Sequence, residues 1–195
     1  AVVIEQWEPI PSPSWVETAV VTVHGDIGGY AVKGYILFDS VTKEAVFIDT
    51  AYNAKAMLSE LTVRGLNLVG VCLTHGHTDH AGGLDQILKE WPVSVYLGNG
   101  DFPLLFWKPN RDCLVMPQDK QNISVGTLMM TCLATPGHTP GGFCYQVSIG
   151  KHDLCFVGDT LFAGSIGRSN PFSLYPSHLQ SVRECVLQLP PETVL

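Results

Sequence analysis

The chain has 195 residues, which fits a single domain spanning residues 1–195, and 46% of them are hydrophobic while 15% are charged. A chain of this length buries about 70% of its unfolded surface, so it needs no disulfide to fold. The net charge of −7 comes without a long run of lysine or arginine, which argues against nucleic acid or anionic membrane as a partner. No apolar stretch is long enough to predict a transmembrane helix, and the cytoplasm is the expected location.

Six cysteines are scattered through the sequence, mostly within apolar segments, and no two of them form a C-x-x-C pair. Free cysteine packs as a small hydrophobic side chain, so we expect most of these residues to be reduced and in the core. A disulfide framework is the alternative, but a chain this long and apolar does not depend on one.

The first half of the chain alternates strand-like and helix-like segments. After a proline-rich entry at residues 9–13, the pattern predicts strands at residues 18–23 and 30–38 on either side of a glycine-rich turn. A short strand at residues 45–48 and a helix at residues 54–64 follow. This alternation predicts an α/β layered fold, whereas the antiparallel opening pair argues against a purely parallel sheet.

The second half continues the alternation. Residues 68–73 form the next predicted strand, and a helix at residues 84–91 is stopped by Pro92. A late helix is predicted at residues 177–189, with Ser177 as its N-cap. Further strands are predicted at residues 93–97, 128–133, 143–149 and 154–157. Residues 98–123 are irregular and aromatic, and they form either a packed surface loop or a wall of the substrate cleft.

Three histidines and an aspartate lie within six positions, directly after the predicted strand at residues 68–73. They are His75, His77, Asp79 and His80. Imidazole and carboxylate are ligands that suit Zn²⁺, iron or manganese. So many coordinating side chains rarely come this close for packing alone, so the spacing predicts a metal site.

Two later segments also place a ligand after a predicted strand. His138 lies in a turn rich in glycine and proline, and Asp159 follows the strand at residues 154–157. If the three strand ends meet, the four imidazoles and two carboxylates exceed the four ligands that one tetrahedral zinc takes. They fit two metals about 3.5–4 Å apart that share one carboxylate and activate a hydroxide at neutral pH.

The segments at residues 75–80, 136–138 and 158–160, in this order, resemble the metallo-β-lactamase superfamily. Within it, residues 158–168 look similar to the corresponding loop of the hydroxyacylglutathione hydrolases (glyoxalase II) and their single-domain relatives. The resemblance implies an α/β fold, a four-layer αββα sandwich with its metals at one edge. It also implies a metal-dependent hydrolase acting on a small-molecule thioester such as an S-hydroxyacylglutathione.

The resemblance implies a role for each ligand. One metal would be bound by His75, His77 and His138. Asp79, the candidate catalytic carboxylate, would bind the other metal with His80, and Asp159 would bridge the two. Zinc is expected, with iron or manganese as alternatives because nitrogen and oxygen ligands accept several first-row ions. Zinc β-lactamases commonly carry a cysteine at the position of Asp159, which argues against that activity.

In the family, the segment after residues 189–195 carries a histidine that completes the second metal site, and this sequence ends before it. We therefore expect a domain lacking its C-terminal elements, either truncated or built with a three-ligand second site. That site is expected to be weak or empty. We expect His24, His152 and His178 to be surface residues rather than substitutes for the missing ligand.

Three other residues are candidates for roles around the metals. Arg168 would pair with a substrate carboxylate or hold its loop through an internal salt bridge. Tyr145 would contact the substrate or point into the core. Asp49, at the end of the strand at residues 45–48, would orient a metal-binding histidine or cap a turn.

Three alternative functions stay open. A mononuclear iron persulfide dioxygenase of the same superfamily would use only His75, His138 and Asp159. A lactonase would direct the same metal-activated hydroxide at an ester. A non-catalytic domain would keep one metal for stability alone.

Overall fold

The computed structural model describes residues 19–27 and 30–195, without the side chains of residues 25–31. The proline-rich entry and Gly28 and Gly29 of the predicted turn lie outside the described residues.

The helices are α1 (Lys55–Arg64), α2 (Thr78–Ala81), α3 (Leu84–Glu90) and α4 (Tyr175–Glu184). The strands are β1 (Val20–Ile27), β2 (Tyr30–Phe38), β3 (Glu44–Ile48), β4 (Asn67–Cys72), β5 (Ser94–Tyr96), β6 (Leu114–Val115), β7 (Asn122–Val125), β8 (Leu128–Ala134), β9 (Phe143–Ile149), β10 (His152–Phe156), β11 (Leu161–Phe162) and β12 (Ser165–Ile166).

The first sheet has the strand order β1-β2-β3-β4-β5-β6. Its opening strands pair antiparallel, as the sequence predicts, and β3 to β6 are parallel. Ile48 pairs with Cys72, and Cys72 pairs with Tyr96, so β3, β4 and β5 end side by side. The segments that follow these three strands therefore leave the sheet at one edge.

The second sheet is antiparallel, with the order β10-β9-β8-β7, and β11 and β12 form a separate antiparallel pair. Leu37 and Ile48 of the first sheet pack in one apolar cluster with Met130 of the second. On its other face the first sheet packs against Met57 and Leu61 of α1 and Ile87 of α3. No helix among the described residues is both long and apolar enough to cross a membrane.

The outer face of the second sheet is covered by the C-terminal helical segment. Cys144 of β9 and Cys155 of β10 pack against Val186, which lies just beyond α4. The layers are therefore helix, sheet, sheet and helix, which confirms the αββα sandwich. The cysteines are free thiols, four of them buried, as the sequence predicts.

The structure differs from the predicted elements at short or atypical segments. The stretch predicted to be irregular contains the two-residue strand β6 and the first half of the four-residue strand β7, and both strands are too short for a periodic pattern to show. The late helix begins at Tyr175 with Leu174 as its N-cap, so Ser177 does not cap it. Its predicted end is a separate 3₁₀ turn, Val186–Gln188.

Tyr145 lies in the core between the two sheets, which corrects the prediction that it contacts the substrate. Its side chain is fully buried, and its hydroxyl donates a hydrogen bond of 2.8 Å to the carbonyl of Leu73. Burial raises the pKa of Tyr145 well above its ordinary value, which keeps the phenol protonated as a donor.

The substitution Tyr145→Phe should therefore reduce stability rather than substrate binding. Loss of the hydrogen bond to Leu73 should lower the free energy of unfolding by about 1 kcal/mol in urea denaturation. The same change at the partly exposed Tyr175 should stay within about 0.5 kcal/mol of the unmodified protein. Unchanged stability with an altered KM would instead place Tyr145 at the substrate.

Candidate metal centre

The predicted ligands meet at the edge where the parallel strands end. Two sets of side chains have ligand atoms within 4.8 Å of one another, and both sets contain His75. The first set is His75, His77 and His138. The second set is His75, His80 and Asp159. Asp79 lies beside the second set, with its Oδ2 3.8 Å from Nε2 of His80.

His75 is oriented through a chain of hydrogen bonds that begins at Asp49. The carboxylate of Asp49 accepts hydrogen bonds from the backbone N–H of Thr74 at 2.7 Å and from the hydroxyl of Thr74 at 2.8 Å. Because that hydroxyl donates to Asp49, its oxygen is left to accept from Nδ1 of His75, 3.1 Å away. Nε2 of His75 then carries a lone pair, and it is buried without a hydrogen-bond partner among the described residues.

Asp49 also fixes the orientation of His80. Its Oδ2 lies 2.7 Å from Nδ1 of His80, which leaves Nε2 of His80 facing the cluster. The backbone of Asp49 has a φ of 54°, a left-handed conformation that aspartate tolerates better than most side chains. The structure thus favours the orienting role predicted for Asp49 over the turn-cap role.

His138 is held by a backbone carbonyl of the glycine-rich loop. Its Nδ1 donates to the carbonyl of Arg168 at 2.5 Å, so Nε2 carries the lone pair. That Nε2 lies 3.1 Å from Nδ1 of His77, with the two rings edge to face. The first set therefore presents Nε2 of His75, Nδ1 of His77 and Nε2 of His138 to one small space.

Asp159 lies between the two sets. Its Oδ1 is 3.2 Å from Nε2 of His80, and its Oδ2 is 3.4 Å from Nε2 of His138. A turn at Gly158, with a φ of 49°, brings the backbone so close to Thr74 that a Cβ there would lie 2.4 Å from the hydroxyl oxygen of Thr74. The carboxylate is thus placed where it can offer one oxygen to each set.

Burial and charge set the protonation of these groups. Burial and the neighbouring imidazoles hold the pKa of His75 well below its ordinary value, and burial and His138 lower the pKa of His77. Burial also disfavours protonation of His80, but Asp49 and Asp159 outweigh it and raise the pKa of His80 to about 10. The pKa of Asp159 is lowered by His80 despite burial. His75 and His77 of the first set are therefore neutral and ready to accept a cation at pH 7.

The donor set fits a divalent metal ion. The orphaned Nε2 of His75 is buried where water does not solvate it, and two further imidazole nitrogens face it. Three imidazoles and one carboxylate supply the four ligands that zinc takes. His75, His77, His138 and Asp159 would hold a first ion. Asp79, His80 and Asp159 would contribute to a second ion.

The side chain of Arg168 is exposed, and it forms no ion pair within the described part of the chain. The predicted internal salt bridge is therefore absent from that part. The backbone carbonyl of Arg168 orients His138 instead, which residue type alone does not indicate.

His178 is buried, which corrects its expected place at the surface. Its side chain has no exposure, and its two ring nitrogens lie 3.1 Å from the hydroxyl of Ser169 and 2.9 Å from the carbonyl of Thr160. Both nitrogens are thus used by hydrogen bonds, so His178 supports the loop that carries Asp159 rather than replacing a ligand.

Asp101 is a further residue of the site that the sequence pattern did not predict. This residue lies in a 3₁₀ turn just beyond β5, is fully buried and accepts three hydrogen bonds from the turns that carry the histidines. Its position could have indicated a role at the site, because Asp101 is another carboxylate that follows a predicted strand.

The substitution Asp49→Asn should weaken metal binding about 10- to 100-fold, because an amide has one acceptor oxygen and its NH₂ group would face either the backbone N–H of Thr74 or the donors from the Thr74 hydroxyl and His80. Competition with a chromophoric zinc chelator measures the change. Asp153→Asn, which alters a partly exposed carboxylate that accepts a hydrogen bond from Ser148, should leave zinc affinity unchanged. Equal affinities for all three proteins would contradict the role of Asp49.

Removal of the metal should destabilise the protein. An ion that binds only the folded state raises the free energy of unfolding by about 4 kcal/mol when its free concentration is 1,000 times Kd. This corresponds to a fall in Tm of roughly 10 °C on chelation for a domain of this size. His75→Ala should abolish the difference between zinc-loaded and chelated protein, whereas His24→Ala, at an exposed position, should retain it. A Tm that chelation does not change would contradict the metal centre.

Two curated proteins of Bacillus subtilis (strain 168) show sequence similarity to this chain. The probable polyketide biosynthesis zinc-dependent hydrolase PksB is 32% identical over 139 residues, which is 71% of this chain and 59% of that protein. The chain thus spans less than two-thirds of the length of PksB. The probable metallo-hydrolase YqgX is 34% identical in an alignment of 186 residues, and the alignment covers 87% of this chain and 85% of that protein.

Solved structures show the same fold. A metallo-beta-lactamase from Staphylococcus aureus subsp. aureus COL has a TM-score of 0.76 at 22% identity, covering 90% of this chain and 54% of that one. The protein TTHA1623, solved in a di-iron-bound form, has a TM-score of 0.72 at 25% identity, covering 88% of each chain. The family profile described as the metallo-beta-lactamase superfamily matches residues 32–195. The chain belongs to the metallo-beta-lactamase superfamily.

Proposed function

We propose that this protein is a metal-dependent hydrolase that cleaves small-molecule thioesters of the S-hydroxyacylglutathione type. The observation that carries the proposal is the position of Asp159, whose two oxygens face the histidines of two adjacent ligand sets. Two relatives that are named hydrolases support the reaction class. The names of these relatives do not specify a thioester, which we propose from the chemistry of the site.

The protein's own groups prepare the site for hydrolysis. A divalent ion bound there would act as a Lewis acid and would lower the pKa of a bound water toward 7. Asp49, acting through Thr74, and the carbonyl of Arg168 hold His75 and His138 in the tautomers that leave the lone pairs of their Nε2 atoms facing inward. Asp79 is the candidate catalytic carboxylate. Its side chain is 35% exposed, against 22% for Asp159, so it is the more accessible of the two to an incoming substrate.

A thioester suits this arrangement because a thiolate is a good leaving group. It departs without the strong general acid that an amide or alkoxide leaving group requires. The reaction then depends on placing the acyl carbonyl beside the metal ligands, and the glycine-rich loop with Arg168 lies at that edge. The exposed guanidinium of Arg168 can pair with a carboxylate of a glutathione moiety.

Zinc-loaded protein should release thiol from S-lactoylglutathione and related acyl-thioesters, as followed with a thiol-reactive dye. His138→Ala should abolish the release because it removes a ligand of the first set. Tyr175→Phe, outside both sets, should retain it. Failure of zinc-bound protein to release thiol from any of several acyl-thioesters would rule out this substrate class.

Arg168→Gln should raise KM for glutathione thioesters about tenfold, a loss of about 1.4 kcal/mol in binding, because it removes the partner of the substrate carboxylate. KM for thioesters of uncharged thiols such as N-acetylcysteamine should stay the same, and kcat should change little for either substrate. An equal rise in KM for both classes would show that Arg168 maintains the loop rather than binding the carboxylate.

The second candidate is a mononuclear iron persulfide dioxygenase. The proximity of His75, His138 and Asp159 favours this function. Nε2 of His138 lies 3.4 Å from Oδ2 of Asp159, and His75 belongs to both ligand sets. The di-iron form of TTHA1623 supports iron as an alternative metal. Metal analysis separates the two functions. About one iron per chain, with oxygen consumption dependent on glutathione persulfide, would favour the dioxygenase over the hydrolase.

A further inference from the structure

Asp101 is a buried carboxylate that joins the two turns carrying the first set of metal ligands. Its Oδ2 accepts hydrogen bonds from the backbone N–H of Gly76 at 2.9 Å and from the hydroxyl of Thr139 at 2.7 Å. Its Oδ1 accepts from the backbone N–H of Gly141 at 2.6 Å. Gly76 separates His75 from His77, and Thr139 follows His138. One side chain therefore bonds to both ligand-bearing turns.

The backbones around Asp101 pack too closely for any side chain. A Cβ at Gly76 would lie 2.6 Å from the carbonyl oxygen of Asp101, and one at Gly141 would lie 2.8 Å from its Oδ1. Gly98 also approaches Gly141, since a Cβ there would lie 2.0 Å from the carbonyl oxygen of Gly141. Glycine at these three positions therefore allows the turns to come together at Asp101.

The chemistry of the contacts requires a carboxylate. Asp101 has no exposure to solvent, and within the described residues it has no cationic side-chain partner. Burial of a charge is costly unless hydrogen bonds compensate for the lost water. Three donors directed at the two oxygens provide that compensation, which indicates that the carboxylate is there to bind these donors. An asparagine has one acceptor oxygen, and its NH₂ group would face either Gly141 or the donors from Gly76 and Thr139.

We propose that Asp101 is a positioning residue that sets the separation of the turn bearing His75 and His77 from the turn bearing His138. It touches neither the metal nor the substrate, and it controls metal affinity through the geometry of those turns. The inference rests on the metal centre of the proposed function but does not depend on the thioester substrate.

A control for a merely structural effect exists at the opposite end of the first sheet. Asp39 is 4% exposed and also accepts three hydrogen bonds, from the backbone N–H of Val41 and from the N–H and hydroxyl of Thr127. Phe38 pairs with Ala45 at the start of β3, whereas the metal ligands lie beyond its end at Ile48. Asp39→Asn thus removes a similar buried carboxylate far from the centre.

The test compares Asp101→Asn with Asp39→Asn in the full chain, without any substrate. Zinc affinity is measured by chelator competition, the coordination geometry by the visible absorption of the cobalt(II)-substituted protein, and stability by urea denaturation. Both variants should be less stable. Asp101→Asn should also lose about 10- to 100-fold in zinc affinity and show an altered cobalt spectrum. Asp39→Asn should stay within about twofold of the unmodified protein in affinity.

A second variant covers the case in which Asp101→Asn does not fold. Thr139→Val removes one of the three donors while keeping the shape of the side chain, and it should weaken zinc binding severalfold and shift the cobalt spectrum. The proposal is overturned if a folded Asp101→Asn, or Thr139→Val in its place, retains the affinity and spectrum of the unmodified protein. It is also overturned if Asp39→Asn loses zinc affinity to the same extent. Thiol release enters none of these measurements, so failure of the thioester proposal would be a separate result.

Discussion

The metal centre depends on hydrogen bonds made by Nδ1 of His75 and Nδ1 of His138 on the outer side of each ring. These bonds direct the lone pair on the Nε2 of each ring into one buried space. Nε2 of His75 has no hydrogen-bond partner in the part of the chain that the structure describes, and an orphaned buried polar atom costs about 1–3 kcal/mol. The protein sustains this arrangement with acceptors outside the cluster, namely the carboxylate of Asp49 and the carbonyl of Arg168. A cation at the centre would relieve the cost, which couples metal binding to folding stability.

The sandwich supplies this arrangement from two directions. Three parallel strands end together, and the residues beyond them include Asp49, Thr74 and Asp101. The second sheet contributes the turns with His138 and Asp159 from the ends of β8 and β10. A hydrogen bond of 2.8 Å from the N–H of Phe143 to the carbonyl of Thr74 ties the two sheets together at this edge. The ligands are therefore fixed by strand ends rather than by a flexible loop.

Much of the fold and ligand set could be predicted because the signals are local. His75, His77, Asp79 and His80 share one short segment. The strand-forming composition of residues 143–149 located β9, and Pro92 located the end of α3. Roles that arise from distant contacts could not be predicted in this way. Asp101 lies 40 residues from Gly141, and His138 lies 30 residues from the carbonyl that orients it. Alternation could not decide the direction of Tyr145 because β9 is buried on both faces, with Cys144 packed on the opposite side.

The most direct test is anomalous diffraction at the zinc edge from crystals of the zinc-loaded protein. It locates the ion without reference to any substrate or activity. We expect an anomalous peak within coordination distance, about 2.0–2.1 Å, of Nε2 of His75, Nδ1 of His77 and Nε2 of His138, with an oxygen of Asp159 directed at it. Zinc found only at surface residues, with these nitrogens hydrogen-bonded to one another or to water, would contradict it.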